Sequence, residues 1–171
     1  MTESATARLL ASAVRSAIHL ELRDAYTPDD PDWLDWQAGD HFNPAERWHE
    51  WHNLIKATTA RGVVVRRARI VSEPVTNYVI FEYDVTEAHN IASGESVRWL
   101  GRAQASDILV PPTDFWVIDD HAIVFNHFDG VGNWAGEEHR DDPLLARQLI
   151  EAFEAVWDRA TPHDAYRPAT S

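Results

Sequence analysis

Arg61-Gly62-Val63-Val64-Val65-Arg66-Arg67-Ala68-Arg69-Ile70-Val71, taken with Phe115-Trp116-Val117-Ile118-Asp119-Asp120, decides how this chain reads. The first stretch is a helix end, a glycine stop and a run rich in β-branched residues, the composition of a strand. The second is a strand that ends on two acidic residues, with a further strand over residues 121–128 directly behind it. A helix feeding a strand, with a strand pair later in the chain, predicts an α/β (α+β) fold: a mixed β-sheet flanked by helices.

Working upstream, Asn43-Pro44-Ala45-Glu46 carries a capping residue, a proline at the first helical position and an acid in the first turn. It opens a helix whose stripe is Trp48, Trp51, Leu54, Ile55 and Thr58, stopped by Gly62. Asp30 and Pro31 open a shorter helix through Trp36, ended by Gly39. Leu9, Leu10, Ala13, Val14, Ala17 and Ile18 keep a helical period, which predicts a helix over residues 4–20.

Downstream, strands are expected at 63–71, 77–85 and 97–100. The second rests on Val79, Phe81, Tyr83 and Val85 alternating with Tyr78, Ile80, Glu82 and Asp84. Residues 91–95 read as a turn, 106–110 as a short strand before Pro111-Pro112, and 129–133 as a turn. Asp142-Pro143 starts a last helix with Leu145, Leu149, Phe153, Val156 and Ala160 on one face, and 161–171 reads as a frayed end. The organisation expected is an N-terminal helical segment over 1–43 packed on the domain, an α/β core over 44–161 and a C-terminal tail over 162–171.

The chain has 171 residues, 44% of them apolar, enough for one domain with a sizeable core. It contains no cysteine, which excludes disulfides, thiolate metal sites and a cysteine nucleophile. No apolar run is long enough to span a bilayer, and Met1 to Ala7 has neither a basic start nor an apolar centre, so a cytoplasmic location and no membrane are expected. Twenty-eight acidic against 15 basic residues give a formal charge of −13, which repels phosphate backbones and disfavours direct nucleic-acid binding. The cluster Arg61, Arg66, Arg67 and Arg69 is the exception; its plain reading is a strand with one polar face, and its sharper one a local anion site.

Nine histidines invite a metal reading. His121 and His127 share a strand face, bracketed by Asp119 and Asp129, and His49 and His52 lie three apart on a helix. No histidine pair has the tight helical spacing of a zinc site with an acid beside it, so neither a metal nor a cofactor is expected. For acid–base chemistry the candidates are His127, Asp119 and Glu82, with Tyr83 and Trp116 near them in sequence; the plain alternative is that Asp119-Asp120 is a turn and His127 a satisfied strand residue. Trp33, Trp36, Phe42, Trp48 and Trp51 with Tyr26 form an aromatic cluster that is either core or the wall of a small-molecule pocket.

The helix-Arg-Gly-strand unit, the segment Phe115 to Phe125 and the closing helix around Phe153-Glu154-Ala155-Val156-Trp157 resemble one half of the phospholipase D-like fold, over about residues 44–161. Leu22-Arg23-Asp24-Ala25-Tyr26, Arg67 to Pro74 and Phe115 to Asp120 resemble, more closely, a single-domain bacterial family of the Streptomyces type whose function is unknown, found beside helix-turn-helix regulators. The catalytic motif of the phospholipase D superfamily is H-x-K-x4-D. With Asp119 as its aspartate, Asp114 takes the lysine position and Pro112 the histidine position, so the standard phosphodiesterase activity is expected to be absent. Asn126 and His127 stand where that motif expects small residues, and Trp116 would wall the vacated crevice. Trp116, Asp114, Tyr83, Asn126 and Arg67 are then the ligand-binding candidates.

The function expected is a non-catalytic ligand-sensing or protein-interaction module, regulatory, with a DNA-binding helix-turn-helix protein as partner and no nucleic-acid contact of its own. The alternative is a small-molecule enzyme of secondary metabolism using His127 with Asp119 or Glu82. Catalytic phospholipase D-like halves pair across one crevice, so the resemblance also implies a homodimer.

Overall fold

The computed structural model describes residues 4–171. Among them seven strands form one mixed sheet in the order β6-β5-β4-β1-β2-β3-β7. The strands β1 (Ser16–Glu21), β2 (Val64–Val71) and β3 (Ser96–Gly101) run parallel. β4 (Asp114–Ile118), β5 (Ala122–Phe128) and β6 (Trp134–Asp141) continue the sheet antiparallel from β1, and the short β7 (Thr161–Pro162) closes the far edge. The helices are α1 (Ala5–Ser12), α2 (Pro31–Gln37), α3 (Pro44–Arg47), α4 (His49–Ala60), α5 (Asn77–His89) and α6 (Pro143–Arg159). The α/β class with a mixed sheet is the one the helix-glycine-strand unit predicts.

Local chemistry explains several of these boundaries. The side chains of Asp30, Asn43 and Asp142 accept backbone N–H groups at the starts of α2, α3 and α6, each with proline at the first turn. Gly62 sits at φ +89° and turns the end of α4 into β2. Asp119 and Asp120 both adopt positive φ, 51° and 66°, the backbone of a tight hairpin that matches the twist of β4 and β5.

Three expected elements differ. The helix predicted over 4–20 ends at Ser12, and Ser16–Glu21 is instead β1, the middle strand of the sheet. The apolar spacing through Ala17 and Ile18 suits a helix and a strand equally; ladders to β2 on one side and β4 on the other outweigh local propensity. Residues 4–43 therefore contribute the sheet's central strand as well as helices α1 and α2. The segment predicted as a strand over 77–85 is helix α5, capped by the Thr76 hydroxyl; the sequence alternates at period two but also repeats at four and three. Residues 106–110 form no strand, whereas Trp134–Asp141, a polar stretch with no alternation to reveal it, forms the largely exposed edge strand β6.

The last residues are docked rather than frayed. His163 and Tyr166 are buried, the Trp99 indole donates to His163 Nδ1, and Val75 N–H donates to the Ala169 carbonyl. One face of the sheet carries Ile18, Leu20, Ala68, Ile70, Phe115, Val117 and Ile123 and is covered by Ala146, Leu149, Phe153 and Val156 of α6. On the other face α1 and α4 cover Val65, Trp116, Ile118 and Val124, while the ends of β1 and β2 beyond them carry charge.

Candidate functional site

Side chains alternate across a strand. Ile18 and Leu20 of β1 enter the α6-side core, so His19 and Glu21 point to the opposite face. Likewise Ala68 and Ile70 of β2 face α6 while Arg67 and Arg69 face away, joined there by Trp116 of β4 and Asn126 of β5. Above them runs α5. Tyr78, Glu82, Val85 and His89, spaced four, three and four, form one helical stripe. Between stripe and sheet lies a cleft of about 430 Å³, walled also by Trp48, Trp51, Trp134 and Glu137. That volume suits a small organic molecule.

The floor of the cleft is an ion network. Glu21 accepts from both Arg67 and Arg69, Arg67 Nε donates to Glu95 at 2.7 Å, and Arg69 Nη1 donates to the Thr86 hydroxyl at 2.7 Å. Asn90 Nδ2 donates to the second Glu95 oxygen at 2.7 Å. His19 stacks on Trp116 with ring centroids 4.2 Å apart and planes 10° from parallel. Its Nδ1 donates to the Phe115 carbonyl at 2.8 Å and its Nε2 lies 3.2 Å from Glu21. Both ring nitrogens thus lie beside oxygen acceptors.

Burial opposes ionisation of Glu21, yet Arg67, Arg69 and His19 together hold its carboxyl well below the usual range. Glu82 goes the other way. Burial pushes its carboxyl up to about 8, and the charges of Glu21 and Asp114 add to that against Arg69 and Arg67. The Glu82 carboxyl takes no part in the ion pairs that tie Glu21 and Glu95 to the arginines. Burial, then Arg67, pulls His89 down to about 4, so its ring is neutral at pH 7. His89 Nδ1 and Asn126 Oδ1 are buried and have no hydrogen-bond partner among the described residues. Buried polar atoms are normally paired, and these two line the same cleft.

Of the residues singled out in the sequence, the structure brings together Glu82, Arg67, Trp116 and Asn126. It places the others elsewhere. Asp119 sits at the hairpin beyond β4, where its carboxylate accepts N–H groups from Val14 at 2.9 Å, Arg15 at 2.8 Å and Ser16 at 3.1 Å. Those amides, working against partial burial, hold it below the usual carboxylate range. His127 lies on the α6 side of β5, half exposed and 3.0 Å from Glu138. His127, Asp119 and Glu82 therefore share no site, because strand alternation and the length of β4 separate them. Tyr83 leaves α5 on the far side and packs on His163 at 4.6 Å between centroids. Asp114 is buried beside the cleft, accepting from the Leu22 N–H at 2.9 Å and the Tyr26 hydroxyl. It lines a recess of about 100 Å³ with Asn126 and His127.

Sequence reasoning missed His19, Glu21, Tyr78, His89 and Glu95, and reached Arg69 only as a member of the arginine cluster. The signal for the first two was the alternation Ile18-His19-Leu20-Glu21, hidden while the segment was read as helix. The arginine cluster splits: Arg66 faces α6 and pairs with Glu154, whereas Arg67 and Arg69 face the cleft and are charge-paired with Glu21 and Glu95. Of the aromatic cluster, Trp33 stacks on Trp36 at 5.6 Å while Trp48 and Trp51 wall the cleft. Among the described residues no three histidine or acidic side chains converge as metal ligands, and no helix is long and apolar enough to cross a membrane.

This architecture is a phospholipase D-like α/β domain with a polar cleft on one sheet face. Nuc, a phospholipase D family member from Salmonella typhimurium, superposes with a TM-score of 0.53 at 14% identity, over 94% of this chain and 88% of Nuc. TrmBL2, an archaeal chromatin protein whose structure shows a novel mode of DNA binding, gives a TM-score of 0.51 at 14% identity over 91% of this chain. The chain spans about half of TrmBL2, 48% of its length. At such identities both likenesses concern the fold alone. No curated protein matches the chain. The family described as Domain of unknown function (DUF6879) matches residues 4–168, and the chain belongs to that family.

Proposed function

We propose that this domain is a non-catalytic small-molecule-binding module, with the cleft between α5 and the sheet as its site. The observation that carries the reading is a cleft of ligand size whose lining residues His89 and Asn126 each hold a buried polar atom, Nδ1 and Oδ1, without a hydrogen-bond partner. The aromatic walls give a bound molecule apolar contact, and the ion network beneath them holds the floor in one arrangement before binding.

Two features favour binding over phosphodiester chemistry. Pro112 and Asp114 stand in the motif positions of the nucleophile and lysine, and Lys56, the chain's one lysine, lies exposed on α4. The acid–base alternative built on His127, Asp119 and Glu82 lacks a common site. A regulatory role with a helix-turn-helix partner remains part of the proposal, supported by the family resemblance and by the acidic charge, which leaves DNA contact to the partner.

Native mass spectrometry of gently purified protein, followed by a small-molecule screen monitored through indole N–H resonances, tests the reading. Ligands are expected to shift Trp48, Trp51, Trp116 and Trp134 and to leave Trp157 on α6 unmoved. A clean apo mass with no shift at those four indoles across the screen overturns it.

A further inference from the structure

The charges around the cleft indicate what kind of molecule it takes. Arg67 and Arg69 are matched by Glu21 and Glu95. Asp30, Glu82 and Glu137 are the carboxyl groups on the lining, and Asp30 is occupied in capping α2 through the Asp32 and Trp33 N–H groups. Glu137 is occupied at the rim, where it caps α1 through the Thr6 hydroxyl at 2.6 Å and the Ala5 N–H at 2.7 Å. Glu82 is 8% exposed, lines the cleft and stands outside the arginine network. Asn126 Oδ1, a second acceptor, is unpartnered on the same lining. Glu82 and Asn126 Oδ1 thus offer a ligand an acid and an acceptor, and the molecule that suits these two brings donors and positive charge.

Aromatic rings surround that position. Tyr78 is one turn before Glu82 on α5, and Phe81 packs on Tyr78 with centroids 5.6 Å apart. Trp48 meets His89 at 5.0 Å, and Trp116 forms part of the floor. The negative faces of such rings attract a cation, more strongly once water is excluded. An anion would meet guanidinium groups already neutralised and would stand close to Glu21 and Glu95. We propose that the cleft takes an organic cation with a flat apolar body, a protonated amine or amidine, whose charged group docks on the Glu82 carboxyl and displaces its proton to solvent. This rests on the reading of the cleft as a small-molecule site.

A matched series tests it on the full chain: benzamidinium, benzamide and benzoate share one ring and differ in charge, and calorimetric titration at pH 7.5 ranks them. Benzamidinium is expected to bind at least about ten-fold tighter than either of the others, the ratio that one charge-assisted contact supplies. Glu82→Gln is expected to remove that advantage and leave benzamide unchanged. Trp134→Ala, at a rim position already 51% exposed and safe for folding, is expected to weaken benzamidinium about three-fold. Tighter binding of benzoate, equal binding of all three, or no binding of any overturns the cation assignment. The indole screen decides separately whether the cleft binds small molecules at all, so the two ideas fall by different results.

Discussion

On one side of the sheet, α6 lays Leu149, Phe153 and Val156 onto Ile18, Leu20, Ala68 and Ile70, all nearly free of solvent. On the other side the same two strands present His19, Glu21, Arg67 and Arg69, also nearly free of solvent. Alternate residues of β1 and β2 thus serve opposite physics. The α6 side gains from every apolar area removed from water. The cleft side desolvates charges and recovers the cost through ion pairs and hydrogen bonds, an exchange that an apolar replacement of similar shape commonly matches or betters for stability. A face built this way, with unpartnered atoms left in it, is the face on which the proposed binding role rests.

That contrast can be broken by substitution. The largest effect is expected from Phe153→Ala, which opens a cavity where this fully buried ring of α6 meets the sheet. It should cost about 4 kcal/mol, read as a lower denaturant midpoint at unchanged slope. Glu21→Ala comes next, at about 3 kcal/mol, because it strands two buried guanidinium groups. A negligible loss there would mean that the network is hydrated, and the contrast between the faces would collapse. Asp119→Ala removes the acceptor of three amide N–H groups at the start of β1, for about 1.5 kcal/mol in the same assay, with ligand binding retained.

The smallest expected effect has the opposite sign and depends on pH. The folded Glu82 carboxyl sits near 8 against an ordinary value of 4.5. The folded state therefore keeps a proton that the unfolded chain releases, so this group's stabilising contribution is complete below about pH 4.5 and falls as pH rises toward 8. Glu82→Gln should flatten that fall and stabilise the domain at pH 8.5, with little change at pH 4.5. His89 acts in reverse: held neutral in the fold, it contributes above pH 6.5, and that contribution is lost as pH falls toward 4. Thermal melts of wild type and Glu82→Gln across this range separate the two.

Features fixed by neighbours in the chain were legible from residues alone. Asp30, Asn43 and Asp142 announce helix starts because a short side-chain acceptor followed by proline has few other uses. Gly62 and the Asp119-Asp120 pair announce reversals because glycine, and aspartate nearly as well, tolerates positive φ. Arg67, Trp116, Asn126 and Glu82 were reached as candidates, but in company with Asp119, His127 and Tyr83, which the fold sends elsewhere.

What the sequence by itself determined is the class of the fold, the α6 stripe and the hairpin, all written in spacing and residue type. Only the tertiary structure decided that Ser16–Glu21 is the central strand and that Asn77–His89 is a helix. Both segments carry patterns compatible with either period, and what selects one is hydrogen bonding and burial against residues far away in the chain. The cleft depends on those two decisions. As a strand, the 77–85 segment would group Glu82 with Ile80 and Asp84; as a helix it groups Glu82 with Tyr78 and His89 and sets them over Arg67 and Arg69 of a strand that Ser16–Glu21 holds in place.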